Sequence, residues 1–63
     1  MTDSELKVME MVFNNIPTDQ IAERLFLSIH TVNNHRRNAL QRLKLHSIQE
    51  FISYAHKNKL FEK

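Results

Sequence analysis

Amide and guanidinium side chains are concentrated near the middle of this chain, at Asn33, Asn34, Arg36 and Arg37. In the major groove of DNA, a planar amide can pair with adenine and a guanidinium group can pair with guanine. Arg37 follows Asn33 by four residues and Asn34 by three, so a helix would carry all three side chains on one face. We therefore expect base contacts from Asn33, Asn34 and Arg37.

Hydroxyl and further basic groups surround this stretch, and they could bond to the phosphates that border a groove. Such contacts position a protein on DNA, and the free N–H groups at a helix start add to them. The expected contacts to the DNA backbone come from Thr18, Ser28, Thr31, His35, Arg36 and Lys44.

These residues also have ordinary structural interpretations. Asn33 and Asn34 could be exposed polar residues, although adjacent asparagines lower helix propensity, which slightly favours a functional reason. His35 could be partly packed within the fold. His30 and His35 are five residues apart, whereas two metal ligands on one helix face need a spacing of four. Neither a metal site nor another cofactor is expected.

Two helices joined by a short turn are predicted to position these groups. The first spans about 18–25 and the second about 29–44, with the turn at Phe26-Leu27. Thr18 and Ser28 are residues of the type that caps a helix start. A helix-turn-helix of this kind places its second helix in a DNA groove.

The rest of the chain also favours helix, since it has no glycine, one proline and no alternation of apolar and polar residues. The first and last helices should span about 3–14 and 47–58. Thr2 with Glu5, and Ser47 with Glu50, match the capping-box pattern at their starts. The expected fold class is an all-α, four-helix, bundle-like domain that covers residues 1–63.

Charge is distributed unevenly, although the formal net charge of the 63 residues is only +2. No acidic residue lies between Glu23 and Glu50. The basic residues of this interval are Arg24, Arg36, Arg37, Arg42 and Lys44. Localised basic charge is typical of proteins that bind nucleic-acid phosphates, and a solvated basic face without a partner is the alternative.

Several classes of protein are disfavoured by the composition. The chain has no cysteine, which excludes disulfides and thiolate metal sites. No stretch approaches the roughly 20 apolar residues that span a bilayer, and the acidic, polar N-terminus does not resemble a signal peptide. We expect a cytoplasmic protein. No serine–histidine–acid or paired-carboxylate arrangement stands out, so we do not expect an enzyme.

With these motifs, the chain resembles the LuxR/FixJ-type DNA-binding domain, which is also found in NarL-type response regulators. The resemblance extends without gaps from Met1 to about Phe61. Its most specific part is the block from Leu27 to His35, whereas the Ile-Ala-x-x-Leu block that ends at Leu25 would be weak alone. The block reads Leu27-Ser28-x-His30-Thr31-Val32-x-x-His35, and the matching residues within it are Ser28, Thr31, Val32 and His35.

The resemblance implies the output domain of a bacterial transcription regulator that binds double-stranded DNA. It implies a homodimer that contacts a two-fold-related site, with dimerisation through the fourth helix. A receiver or sensor domain is often attached to this family. The dimer interface is then expected at Ile48, Phe51, Tyr54 and Ala55.

Some positions depart from the family pattern. Asn33 replaces the usual lysine, which removes a charge and could change the preferred DNA sequence. Asn15 and Lys44 stand where the family has glycine; Asn15 tolerates the same backbone region, but the turn at Lys44 is expected to be built differently. Pro17 replaces a serine, so the second helix lacks the usual capping box. Ile48 replaces an arginine and could strengthen a self-contact.

A different class of function remains open at this point. The chain could be a helical protein-interaction or homodimerisation module without direct DNA contact. The fourth helix would then be the functional surface, and the third helix would only be solvated. The acid-free interval between Glu23 and Glu50 argues against this alternative.

Overall fold

Four α-helices account for most of residues 2–61, which are the residues that the computed structural model describes. They are α1 (Asp3–Phe13), α2 (Thr18–Leu25), α3 (Ile29–Arg42) and α4 (Ile48–Lys57). No strand occurs in this part of the chain, so the all-α, four-helix prediction is confirmed. The domain predicted over 1–63 also includes Met1, Glu62 and Lys63, which lie outside the described residues.

The core is formed by apolar side chains from all four helices. α3 packs against α1 and α2, and α4 packs against α1. Ala22 and Ala39 contribute small side chains to this core. The buried apolar residues are Val8, Met9, Val12, Ile21, Ala22, Val32, Ala39, Phe51 and Ala55. Because α3 packs on two partners, its orientation is set by the core.

A buried carboxylate adds a second link between α1 and α3. Glu5 is only 4% exposed, and its Oε2 atom lies 3.6 Å from Nε of Arg42 at the end of α3. Its Oε1 atom accepts a hydrogen bond from the Thr2 hydroxyl at 3.2 Å. A buried charge without a partner would be strongly destabilising, so this ion pair favours one placement of α3 on α1.

All four helices end in the same way, although the chain has no glycine. The residues with positive φ after the helices are Asn15, Phe26, Lys44 and Lys59, with φ between 52° and 63°. In each case the next N–H group donates to the carbonyl five residues back, as Leu45 does to Leu40 at 2.9 Å. This is the Schellman motif, in which an apolar residue follows the left-handed one. That residue is Ile16, Leu27, Leu45 or Leu60.

Lys44 therefore corrects one expectation. Its φ of 57° is the left-handed conformation in which glycine is most common at this helix position. The turn after α3 is thus built in the usual way, and the prediction of a different turn was wrong. A side chain with a Cβ atom costs about 1–2 kcal/mol in this region, and the Schellman hydrogen bonds and the packing of Leu45 offset that cost.

The helix starts divide into two kinds. At the starts of α1, α3 and α4, the hydroxyl group of the cap residue accepts a hydrogen bond from an N–H group in the first turn of the same helix. These cap residues are, in order, Thr2, Ser28 and Ser47. The N-cap of α2 is Pro17, which makes no side-chain hydrogen bond. The sequence predicted Thr18 as the cap of α2, but Thr18 is the first residue inside this helix. Its hydroxyl group bonds to Arg36 of α3 instead.

Candidate nucleic-acid interface

The two long sides of α3 differ in burial and in chemistry. On the inner side, Val32 and Ala39 have no exposed surface. On the outer side, Asn33 and Arg37 are exposed, and the neighbouring Asn34 is half-buried. The amides and the guanidinium group that sequence analysis identified as base-reading groups therefore lie together on one helix. Asn33 and Arg37 also border an open, shallow concavity on its surface.

Arg36 joins the start of α2 to the outer side of α3. Its Nη1 atom donates a hydrogen bond to the Thr18 hydroxyl at 3.0 Å and another to Oδ1 of Asn33 at 3.2 Å. Its Nε atom is buried and has no hydrogen-bond partner within residues 2–61. This bridge was not predicted from sequence, since Thr18 and Arg36 are 18 residues apart and no local pattern links them.

The start of α3 differs in charge from the other helix starts. The Ser28 hydroxyl accepts the Thr31 N–H group at 3.1 Å and lies 2.9 Å from the Thr31 hydroxyl. The first turn of α3 contains no acidic residue, whereas the first turns of α1, α2 and α4 each contain at least one. The positive end of the α3 dipole is therefore not compensated by an acidic side chain, and such an end favours an anion.

The other predicted phosphate contacts are more dispersed. Half-buried His35 lies on α3 beside Arg36, close to the base-reading groups in sequence. Lys44 lies beyond the other end of α3 and is exposed. Since the 14 residues of α3 are about 20 Å long, Lys44 is far from Ser28 and Thr31. The structure thus does not bring Lys44 together with the other candidates.

Two of the four residues predicted for the dimer surface are buried. Phe51 and Ala55 have no exposed surface, because both belong to the core of a single chain. They cannot contact a second chain without repacking, which corrects their assignment to a dimer interface. Ile48 and Tyr54 are half-buried and can be reached from outside. A contact through α4 would have to use these two residues and their exposed neighbours.

Two apolar side chains near the turn were not singled out from sequence. Phe26 is 95% exposed and adopts the left-handed conformation, and Ile29 at the start of α3 is 51% exposed. The pattern of a Schellman ending would have placed Phe26 at the left-handed position, and the residues at that position after α1, α3 and α4 are exposed as well. Its exposure is therefore a consequence of how α2 ends.

Other kinds of site find no support in residues 2–61. Within them, no three histidine, cysteine or acidic side chains are grouped so that they could hold a metal ion. None of the helices described there is both long and apolar enough to cross a membrane. The groups with evident chemistry are those on α3 and at the start of α2.

A helix-turn-helix whose second helix presents amide and guanidinium groups defines a class of DNA-binding domain. A comparison with known families agrees, because the family described as "Bacterial regulatory proteins, luxR family" matches residues 1–55. The chain belongs to this family. It is a DNA-binding domain of a bacterial transcriptional regulator, as its sequence resemblance implied.

Individual relatives match nearly the whole chain. The oxygen regulatory protein NreC of Staphylococcus carnosus is 34% identical over 62 residues, which cover 98% of this chain and 29% of NreC. The Fimbriae Z protein of Salmonella typhimurium is 37% identical over 60 residues, which cover 95% of this chain and 29% of that protein. The chain thus spans less than a third of the length of these relatives. No solved structure matches it significantly.

Proposed function

We propose that α3 enters the major groove of double-stranded DNA and that Asn33, Asn34 and Arg37 contact base edges there. The observation that carries this proposal is the outer side of α3, where exposed Asn33 and Arg37 lie on a helix that the core holds from behind. Amide and guanidinium groups have the hydrogen-bonding patterns that distinguish base pairs in that groove. A rigidly held helix presents them in one geometry.

The proposed phosphate contacts surround this surface. The uncompensated start of α3, with Ser28 and Thr31, would receive one phosphate. Thr18, His35 and Arg36 would bind phosphates beside the groove. Lys44, about one helix length away from Ser28, would reach a phosphate farther along the DNA.

The domain is further proposed to bind DNA as a homodimer, with α4 as the self-contact. Ile48 and Tyr54 supply the accessible part of the predicted surface. Two copies related by a two-fold axis would place two α3 helices in successive major grooves, so the DNA site would contain two related half-sites. This symmetry is a testable property of any sequence selected from a random pool.

The regulatory setting is also a proposal. The relatives are more than three times longer than this chain, so a receiver or sensor domain could control the output of the domain. Under this proposal the domain acts in the cytoplasm as part of a response regulator. It needs no catalytic group and no cofactor.

Titration with DNA at several salt concentrations tests the proposal directly. Fluorescence anisotropy with a random-sequence duplex should show micromolar affinity, and the logarithm of the binding constant should fall linearly with the logarithm of salt concentration. On a duplex selected from a random pool, Arg37→Ala should weaken binding more than it does on the random duplex, and Lys7→Ala, which removes an exposed charge from α1, is the matched control. A folded chain that does not bind even at low salt would contradict the proposal and favour a protein-interaction module.

A further inference from the structure

The bridge made by Arg36 indicates how Asn33 would select a base. We propose that Arg36 is a positioning residue, which turns the Asn33 amide so that its NH₂ group faces the DNA. Asn33 would then select guanine and not adenine. This inference rests on the proposed placement of α3 in the major groove.

The orientation of the Asn33 amide follows from the chemistry of its partner. A guanidinium group has only hydrogen-bond donors, so the amide atom that faces it must be the carbonyl oxygen. Nη1 of Arg36 lies 3.2 Å from Oδ1 of Asn33. Since Oδ1 faces Arg36, the NH₂ group, which branches from the same planar carbon in another direction, does not face Arg36. Asn33 is an exposed residue, so this donor group can be presented to the DNA.

Arg36 is itself held from a second direction. Nη1 carries two hydrogen atoms, and the second one is donated to the Thr18 hydroxyl at 3.0 Å. Thr18 lies in the first turn of α2, and the backbone there is fixed by the Ile21 N–H group, which donates to Pro17. Because the Thr18 hydroxyl does not cap α2, it is free for this bond. The path from α2 to Asn33 thus consists of two hydrogen bonds through one guanidinium group.

The bridge still leaves Arg36 able to contact DNA. Its Nη2 amino group has no hydrogen-bond partner within residues 2–61. A phosphate contact through Nη2 would be compatible with the bridge through Nη1. Binding of a phosphate would hold the guanidinium group more firmly and would reinforce the orientation of the Asn33 amide.

The choice of base follows from the orientation. An asparagine that reads adenine uses both amide atoms, since Oδ1 accepts from N6 and the NH₂ group donates to N7. The bond from Arg36 occupies one of the two lone pairs of Oδ1 and fixes the direction of the other, which disfavours the first of these contacts. The NH₂ group fits guanine, which presents two acceptors, O6 and N7, on its major-groove edge. Without the bridge, the amide could rotate and pair with adenine.

Four duplexes that differ at one base pair test the inference. A site is first selected by the 63-residue chain from a random pool, and the pair read by position 33 is the one at which Asn33→Ala removes discrimination. The wild-type chain should prefer guanine there. Arg36→Lys keeps the positive charge, but an ammonium group lacks the planar set of N–H donors that bonds to Thr18 and Asn33 together. It should lower the ratio of guanine to adenine binding about tenfold, with little change in the salt dependence.

Thr18→Val is the second variant, because it retains both Arg36 and Asn33 and removes the anchor on α2. It also removes the proposed phosphate contact of Thr18, but that loss should be equal on all four duplexes and leave the ratio between them unchanged. It should shift the guanine-to-adenine ratio in the same direction as Arg36→Lys, by a smaller factor. In the absence of DNA, it should also shift the side-chain amide resonances of Asn33 in an NMR spectrum. Circular dichroism would establish that each variant is folded.

Three results would overturn the inference, and they differ in what they say about the proposed function. An unchanged base preference in both Arg36→Lys and Thr18→Val would show that Arg36 does not orient Asn33. If Asn33→Ala keeps the base preference of the wild-type chain at every base pair, Asn33 reads no base. Salt-dependent binding in the same experiment would leave the proposed placement of α3 in the major groove intact. No binding by the wild-type chain would defeat the proposed function, and the inference with it.

Discussion

The inner and outer sides of α3 differ in burial and in the property of the domain that they support. The inner side carries Val32 and Ala39, which are fully buried against the other helices. The outer side carries Asn33 and Arg37, which are exposed and contribute little to the core. Stability is therefore concentrated on one side and recognition chemistry on the other. This separation allows the outer side to change while the position of the helix is maintained.

The separation is incomplete at Arg36, which is half-buried and lies between the two sides. Its bonds to Thr18 and Asn33 connect the helix packing with the recognition surface. A change at this residue should therefore affect both properties. Changes at buried Val32 or at exposed Arg37 on the same helix should each affect only one of them.

The largest expected effect is on the inner side. Val32→Ala removes two methyl groups from the core, at about 0.8 kcal/mol each, and leaves a small cavity. We expect the free energy of unfolding to fall by about 2–3 kcal/mol, measured by urea denaturation and circular dichroism. The DNA affinity of the fraction that remains folded should be unchanged. A specific loss of affinity in the folded protein would contradict the separation of the two sides.

The next effect is expected on the outer side. Arg37→Ala should weaken binding to a selected DNA site by about 1–3 kcal/mol and relax the preference at one base pair. Its free energy of unfolding should change by less than about 0.5 kcal/mol, since Arg37 is an exposed surface residue. Titration of selected and random duplexes measures the difference. Equal losses on both duplexes would assign Arg37 to the DNA backbone instead of a base.

The helix starts show which features could be predicted from sequence. Ser28 and Ser47 cap α3 and α4 as predicted, because a serine cap bonds to an N–H group only three residues away. Thr18 fits the same local pattern, but its hydroxyl group bonds to Arg36, 18 residues farther along the chain. A contact of that separation depends on how α2 packs on α3. Local pattern alone therefore could not predict it.

α4 shows a second limit. The spacing of apolar residues predicted one apolar side of α4, and Phe51 and Ala55 do form such a side. The spacing could not tell whether a second chain or the same chain covers it. Phe61, after α4, packs its ring near those of Phe13 and Phe51, so this part of the core is completed from within the chain. Composition and periodicity predict an apolar side, and only the packing shows what buries it.

A smaller effect is expected at the start of α3. Ser28→Ala removes the hydroxyl group that accepts the Thr31 N–H group, so the free energy of unfolding should fall by about 1 kcal/mol. Ser53→Ala is the matched control, because Ser53 is exposed in the interior of α4, where alanine is the better helix former. Thermal and urea unfolding of both variants provides the comparison. Equal stability of the two variants would contradict a capping role for Ser28.

The smallest effect is expected at Lys44, and there stability and DNA binding should change in opposite directions. Lys44→Gly relieves a φ of 57°, and after the greater chain entropy of glycine is counted, the free energy of unfolding should rise by about 0.5–1 kcal/mol. Loss of the proposed phosphate contact should weaken binding to all DNA sequences and reduce the salt slope by about one. Lys44→Ala is the control, since it removes the same charge but keeps the left-handed residue with a Cβ atom. If glycine and alanine gave equal stability, backbone relief would be refuted, and if neither variant changed the salt slope, Lys44 would lie outside the DNA interface.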